Sequence, residues 1–217
     1  METRETKWKI RCVIYDCDGV LFDSIEANKK LYNDLCVSVG RSPLSEEEVK
    51  YVHTHTVYET IQLIFGNENG LKKKALELIK GIDWRDYIVY LRMEPYLLQI
   101  LNLLKTNGIL RVINTNRTTS MKYIMEHFHL WPFFDMVVTA LDVKNPKPHP
   151  ESVEMILQKL NLSKEETIFV GDSEVDQQAA KSSGVKFIAY KNKDIVSDAH
   201  IDDHLALLNL LSGDGVF

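Results

Sequence analysis

Three cysteines in 217 residues, at Cys12, Cys17 and Cys36, are too few and too scattered for a disulfide framework, and none forms a C-x-x-C pair. Reduced thiols in a cytoplasmic protein are therefore expected. Positive charge is not in excess: 26 Lys and Arg stand against 31 Asp and Glu, a formal net charge of -5. That balance offers no electrostatic footprint for nucleic acid or for an anionic membrane. It does not favour an anionic substrate either, so a phosphate ligand would have to be held by local positive charge and a metal. No apolar segment approaches the length of a transmembrane helix, and the polar start Met1-Glu2-Thr3-Arg4-Glu5-Thr6-Lys7-Trp8 lacks the apolar stretch of a signal peptide. There is no internal repeat and no low-complexity tract. A soluble protein is expected, with one large domain or a core plus a smaller insert. Its 45% apolar and 26% charged residues are ordinary for that class.

The most informative stretch is Ile10-Arg11-Cys12-Val13-Ile14-Tyr15-Asp16-Cys17-Asp18-Gly19-Val20-Leu21-Phe22-Asp23-Ser24. A short apolar run reads as a buried strand and breaks into two carboxylates and a glycine. In open α/β folds such strand ends carry the ligand site. Ser24 is expected to cap a helix that stops at Gly40, and Ser45-Glu46-Glu47-Glu48 has capping-box spacing. Helical patterns follow over 56–65 and 70–93, the latter with a break near Gly81-Ile82-Asp83, so that residues 24–93 hold helices and no strand.

From residue 96 strands and helices alternate. Strands are expected at 109–113, 136–139, 167–170 and 185–190, and helices at 96–107, 118–129, 150–160, 174–183 and 202–211. This predicts a doubly wound parallel sheet, a Rossmann-like α/β core of residues 1–22 and 96–217, interrupted by an all-helical insert over 23–95.

The core strands end in Asp16-Cys17-Asp18, Asn114-Thr115-Asn116-Arg117 and Gly171-Asp172-Ser173-Glu174-Val175-Asp176, with Lys144-Asn145-Pro146-Lys147-Pro148 following the strand at 136–139. Parallel strands would bring Asp16, Asp18, Asp172 and Asp176 to one edge with Thr115 and Lys147. Two carboxylates about 4 Å apart repel by roughly 4 kcal/mol at an effective dielectric near 20. A divalent cation removes that cost, and an all-oxygen set suits Mg²⁺ better than zinc. A hydroxyl and a fixed lysine are what a phosphoryl group needs beside it, so the set reads as a phosphoryl-transfer site.

Asp16-Cys17-Asp18-Gly19-Val20, Asn114-Thr115-Asn116, Lys147 and Gly171-Asp172-Ser173-Glu174-Val175-Asp176, in that order, resemble the four motifs of the haloacid dehalogenase superfamily, within which the chain is most similar to the phosphoglycolate phosphatase and β-phosphoglucomutase branch. The insert resembles that superfamily's helical cap, which closes over the core and excludes water. The resemblance implies that Asp16 attacks phosphorus and forms an aspartyl-phosphate. Asp18 would protonate the leaving alcohol and later take a proton from water, with a pKa raised by the carboxylate cluster. Asp16, the Asp18 backbone carbonyl and Asp172 would hold Mg²⁺. Thr115 and Lys147 would bind the phosphoryl oxygens, helped by backbone N–H groups of the Cys17 loop and of Asn116. Asp176 would orient Lys147 or metal-bound water; read as a bare residue, it could also be surface decoration. An acid at Asp18 favours phosphate esters over halides, since a halide leaves without a proton.

The expected activity is thus a Mg²⁺-dependent phosphatase of a small phosphorylated metabolite, phosphoglycolate by default, in a monomer or homodimer. Three alternatives stay open: a phosphomutase, a non-catalytic phosphate-binding protein on the same scaffold, and a receiver-like domain. The insert reads His53-Thr54-His55-Thr56-Val57-Tyr58-Glu59-Thr60, without the Ser-Arg motif of the mutases or the Schiff-base lysine of phosphonatases. His53 and His55 read as surface or packing residues. Leu97, Leu98, Leu101 and Leu104, and Trp131 with Phe133 and Phe134, read as core packing.

Overall fold

The computed structural model describes residues 8–54, 57–66 and 70–211. It falls into two compact units, one of Met1–Phe22 with Met93–Phe217 and one of Asp23–Arg92. In chain order, β1 (Cys12–Tyr15) and the two-residue β2 (Phe22–Asp23) precede five helices. These are α1 (Ile25–Ser38), α2 (Glu46–Thr54), α3 (Val57–Phe65), α4 (Leu71–Lys80) and α5 (Arg85–Ile88). The short β3 (Arg92–Met93), which pairs with β2, leads back to the first unit. There follow α6 (Leu97–Thr106), β4 (Leu110–Asn114), α7 (Ser120–His127), β5 (Met136–Val138), α8 (Glu151–Leu160) and β6 (Thr167–Gly171). The chain continues through α9 (Glu174–Ser183), β7 (Lys186–Tyr190), β8 (Ala199–Ile201) and α10 (Leu207–Leu211).

Six strands form one sheet in the order β5-β4-β1-β6-β7-β8, and every described pairing is parallel. The Cys12-Val13-Ile14-Tyr15 run of β1 is fully buried, as a central strand covered on both faces requires. Alternate residues serve the two faces. Cys12 and Ile14 join a cluster with Val112, Phe169 and Phe187, sealed by Val153 and Ile156 of α8 and Ala179 and Ala180 of α9. α6 packs against β4 and buries Leu97, Ile100, Leu101 and Leu104. Register decides where the loops lie: Tyr15 stands opposite both Ile113 and Val170. The next residues, Asp16, Asn114 and Gly171, therefore leave the sheet at the same edge.

The helical unit has its own core. Leu31, Tyr32, Leu35 and Cys36 of α1 pack with Val52, Ile61, Ile64, Phe65 and Ala75. Ser45 and Glu48 form the expected capping box, with the Glu48 N–H donating to Ser45 Oγ (3.2 Å) and the Ser45 N–H to Glu48 Oε2 (2.8 Å). His55 lies outside the described residues, as does the side chain of His53.

Several expectations are corrected. The last helix starts at Leu207 instead of 202, because residues 199–201 pair with β7 as an edge strand too short for its alternation to register. Residues 92–93 are extended, and the Glu94 N–H donates to the Leu21 carbonyl (3.0 Å), so the core resumes at Met93. At the start of α1 it is Asp23, not Ser24, that accepts from the Ile25 N–H (3.1 Å). Leu98 and Trp131 are exposed, since each falls on the outer side of its turn.

One buried polar group ties β1's loop to the far end of the chain. His204 is fully buried, its ring lies against Tyr15 and Tyr190, and its Nε2 pairs with the Val20 carbonyl at 2.8 Å. Burial holds its imidazole down to about 4 against an ordinary 6.5, despite the Val20 carbonyl and Glu94. A group neutral in the fold but protonated when unfolded contributes stability above pH 6.5 and loses it as pH falls toward 4. Such a shift is worth roughly 3 kcal/mol. Urea unfolding from pH 7 down to 4 is expected to show wild type losing roughly that much more stability than His204→Gln, which cannot titrate there. Parallel losses in the two proteins would assign the acid lability elsewhere.

Candidate active site

Asp16 ends β1 with its N–H donating to the Val170 carbonyl (3.0 Å), and Thr115 ends β4 with its N–H on the Val138 carbonyl (3.0 Å). Both are buried at the sheet edge. Lys147 reaches the same edge from the loop before α8, with only 4% of its surface exposed. Its ammonium donates to Asp16 Oδ1 (2.8 Å), Asp176 Oδ1 (2.6 Å) and the Asn114 carbonyl (2.9 Å). All three donors of the ammonium are thus used. Burial works against that charge, but Asp16 and Asp176 outweigh it and raise the Lys147 pKa.

Asp176 is fully buried, which rules out the reading of surface decoration. Ser173 is the N-cap of α9 and Asp176 its third residue, forming a reciprocal capping box. The Ser173 hydroxyl and N–H donate to Asp176 Oδ2 at 2.6 and 3.3 Å. With Oδ1 on Lys147 and Oδ2 on Ser173, Asp176 orients the lysine.

Asp172 points toward the first loop. Gly19 there has φ +71°, and a Cβ on it would come within 1.9 Å of Asp172 Oδ2. Both the backbone angle and the space demand glycine, which is what brings the two loops together. Carboxylate oxygens of Asp16, Asp172 and Asp176 all lie within 4.8 Å of one another. Burial, followed by the neighbouring carboxylates, raises the pKa of Asp172. Asp16 is raised as well, by burial foremost, with Asp176 and Asp18 adding and Lys147 opposing.

Four carboxylates, Asp16, Asp18, Asp172 and Asp176, meet two fixed cations, Lys147 and Arg117, so two negative charges stay unbalanced within this set. That is the charge of one divalent ion. The donors are all hard oxygens, so the residues fit a cation such as Mg²⁺.

The remaining residues have partners that the sequence did not specify. Asp18 stands close enough to Asp16 and Asp172 to add to the rise in both their pKa values, and it has a counter-ion of its own. It is gripped by Arg117, with Nε to Oδ2 at 2.7 Å and Nη2 to Oδ1 at 2.5 Å. Arg117 was not assigned a role from the sequence, although its place directly after Asn114-Thr115-Asn116 at a strand end was a usable signal. The Asn116 side chain donates to the Lys147 carbonyl (2.8 Å) and so braces that loop. Thr115 Oγ1 accepts from the Arg117 N–H (3.1 Å) and keeps its own proton to donate. Cys17 is fully buried and burial pushes its thiol pKa well up, so only its backbone can take part.

Fold and edge together define an α/β protein with an acidic, lysine-containing site at the carboxyl ends of its parallel strands. The chain belongs to the haloacid dehalogenase-like hydrolases, whose family profile matches residues 13–190, and it is an enzyme of that class. A crystal structure of a haloacid dehalogenase-superfamily hydrolase, subfamily IA, from Geobacter sulfurreducens superposes with a TM-score of 0.81 at 36% identity, covering 97% of this chain and 100% of that one. Pyrophosphatase PpaX of Bacillus pumilus is 24% identical over 178 residues, 82% of this chain and 81% of its own. The phosphoglycolate phosphatase of Salmonella typhi is 30% identical over 133 residues, 55% of this chain and 52% of its own.

Gly19→Ala tests the contact between the two loops. A left-handed alanine costs about 1–2 kcal/mol, and its methyl displaces the Asp172 carboxylate. Urea unfolding is expected to show at least that loss. Wild type is expected to gain melting temperature in millimolar Mg²⁺, and the variant is expected to lose that gain. An unchanged response to Mg²⁺ would show that Asp172 need not stand where Gly19 places it.

Proposed function

We propose that this chain is a Mg²⁺-dependent phosphatase that hydrolyses a small phosphorylated metabolite through an aspartyl-phosphate on Asp16. The observation that carries this reading is the buried Lys147 ammonium held on Asp16 Oδ1 beside Asp172. An ammonium fixed against the nucleophile is where the oxygens of an incoming phosphoryl group gain most.

Asp16 attacks phosphorus, and the bond from phosphorus to the ester oxygen breaks. Asp18 gives its proton to the departing alkoxide, so the alcohol leaves neutral. Asp18, now a carboxylate, takes a proton from water as that water attacks the phosphorus. Inorganic phosphate departs and Asp16 is regenerated. Thr115 holds the phosphoryl oxygens by its hydroxyl, Lys147 attracts them by the charge it carries beside Asp16, and Asp176 keeps the lysine in place. Asp16, Asp172 and the Asp18 backbone carbonyl would hold Mg²⁺, which when bound supplies charge neutralisation for the phosphoryl oxygens.

The relatives' names include phosphoglycolate phosphatase and pyrophosphatase, and phosphoglycolate is the first substrate to try. Release of inorganic phosphate should be followed with Mg²⁺ across phosphoglycolate, pyrophosphate, hexose 1-phosphates and p-nitrophenyl phosphate. Turnover is expected on at least one monoester. It should stop on chelation and fall by about a thousand-fold or more in Asp16→Asn. Equal activity in wild type and Asp16→Asn would overturn the nucleophile assignment. Isomerised hexose phosphate without free phosphate would make the protein a mutase.

A further inference from the structure

We infer that Arg117 is the positioning residue of the acid–base, its guanidinium fixing where the Asp18 carboxylate stands beside the nucleophile. The inference rests on the phosphatase reading and adds to it a residue outside the four motifs.

Two carboxylates only two residues apart, Asp16 and Asp18, need different positions for different work. Each is given its own cation. Lys147 takes Asp16 together with Asp176, whereas Arg117 takes Asp18 across 99 residues of chain. The Arg117 contact is bidentate, through Nε and Nη2, which is the fork that matches a carboxylate and fixes its plane as well as its distance. An ammonium in the same place would fix one oxygen and leave the plane free.

Arg117 is itself held at several points. Its N–H donates to Thr115 Oγ1 at 3.1 Å, and its carbonyl accepts from the Ala140 N–H at 3.1 Å. Its remaining Nη1 lies 3.4 Å from the Ser120 hydroxyl at the start of α7. The guanidinium is therefore placed by β4, by the loop after β5 and by α7, and its side chain keeps only 14% exposure. Burial opposes its charge, and Asp18 beside it more than offsets that, raising its pKa further.

The pair is bidentate and largely buried, so it supports the fold as well as the carboxylate, and the test has to separate the two effects. The clamp's consequence is directional. Asp16 and Asp172 repel the Asp18 carboxylate. Arg117 supplies an attraction at a defined place, so that the Asp18 oxygens remain within reach of the ester oxygen that leaves Asp16's target. Proton transfer to that oxygen is sensitive to displacements of about 1 Å.

A residue that acts through the acid matters only when the leaving group needs a proton. The test is kcat/KM, which covers steps up to departure of the leaving group, measured on phosphate esters running from p-nitrophenyl through phenyl to ethyl phosphate. For Arg117→Met the loss is expected to stay below about threefold on p-nitrophenyl phosphate and to grow to about 100-fold on ethyl phosphate, the lower range of an acid catalyst's contribution. Arg117→Lys, with one contact in place of two, is expected to recover about half of that loss on a logarithmic scale. Equal losses on all esters would mean that Arg117 serves the phosphoryl group or the fold, and no loss would mean that Asp18 stands correctly without it. Either result overturns the inference. Asp16→Asn is run alongside: if it stays active on every ester, the phosphatase mechanism fails, whatever Arg117 does. Should Arg117→Met melt below assay temperature, the ester series on Arg117→Lys decides, since a folding defect lowers all esters alike.

Discussion

A buried ammonium between two buried carboxylates is the constraint on which the rest of this site depends. Lys147 cannot sit at the edge of the sheet without Asp16 and Asp176, and neither carboxylate would be tolerated there without it. Removing one partner from such a group leaves an uncompensated buried charge, which is far costlier than losing a surface pair. The lysine therefore joins the end of β1, the first turn of α9 and the loop before α8 into one rigid assembly.

That assembly still carries more negative charge than positive. Burial first, and the neighbouring carboxylates after it, raise the pKa values of Asp16 and Asp172, and a hard divalent cation would counter both. Gly19 belongs to this picture because only a residue without a side chain lets the first loop come down onto Asp172. A second cation, Arg117, fixes the Asp18 carboxylate beside this cluster. Asp16 and Asp18, the proposed nucleophile and acid–base, are thereby sorted onto separate partners although they are close neighbours in the chain.

Much of the core was legible from residue order. The apolar runs at 12–15, 110–114, 167–171 and 186–190 are buried on both faces, and such runs declare themselves as central strands. The edge strand 199–201 has three residues and one buried side chain, too little for a periodic signal, and the residues after it were absorbed into the last helix. The two-residue strands β2 and β3 are defined by a partner distant in sequence and so carry no local signature. Capping showed the same division. The Ser45 box is a local pattern and was readable, whereas the choice between Asp23 and Ser24 at α1 is one of side-chain direction.

The sequence by itself determined the chemistry available at each strand end: which carboxylates, which lysine, and a glycine where the chain has to turn left-handed. Those are properties of residue type and of spacing along a strand, and both survive without any knowledge of neighbours. Only the tertiary structure decided how the charges are paired. Asp176 proved to be an interior residue that orients Lys147, Asn116 a brace for the lysine loop, and Arg117 the partner of Asp18. Pairing depends on distances of about 3 Å between groups up to 131 residues apart, and on which other charges each one meets there. No local pattern holds that information, because it comes into being when parallel strands in register bring their ends to a common edge.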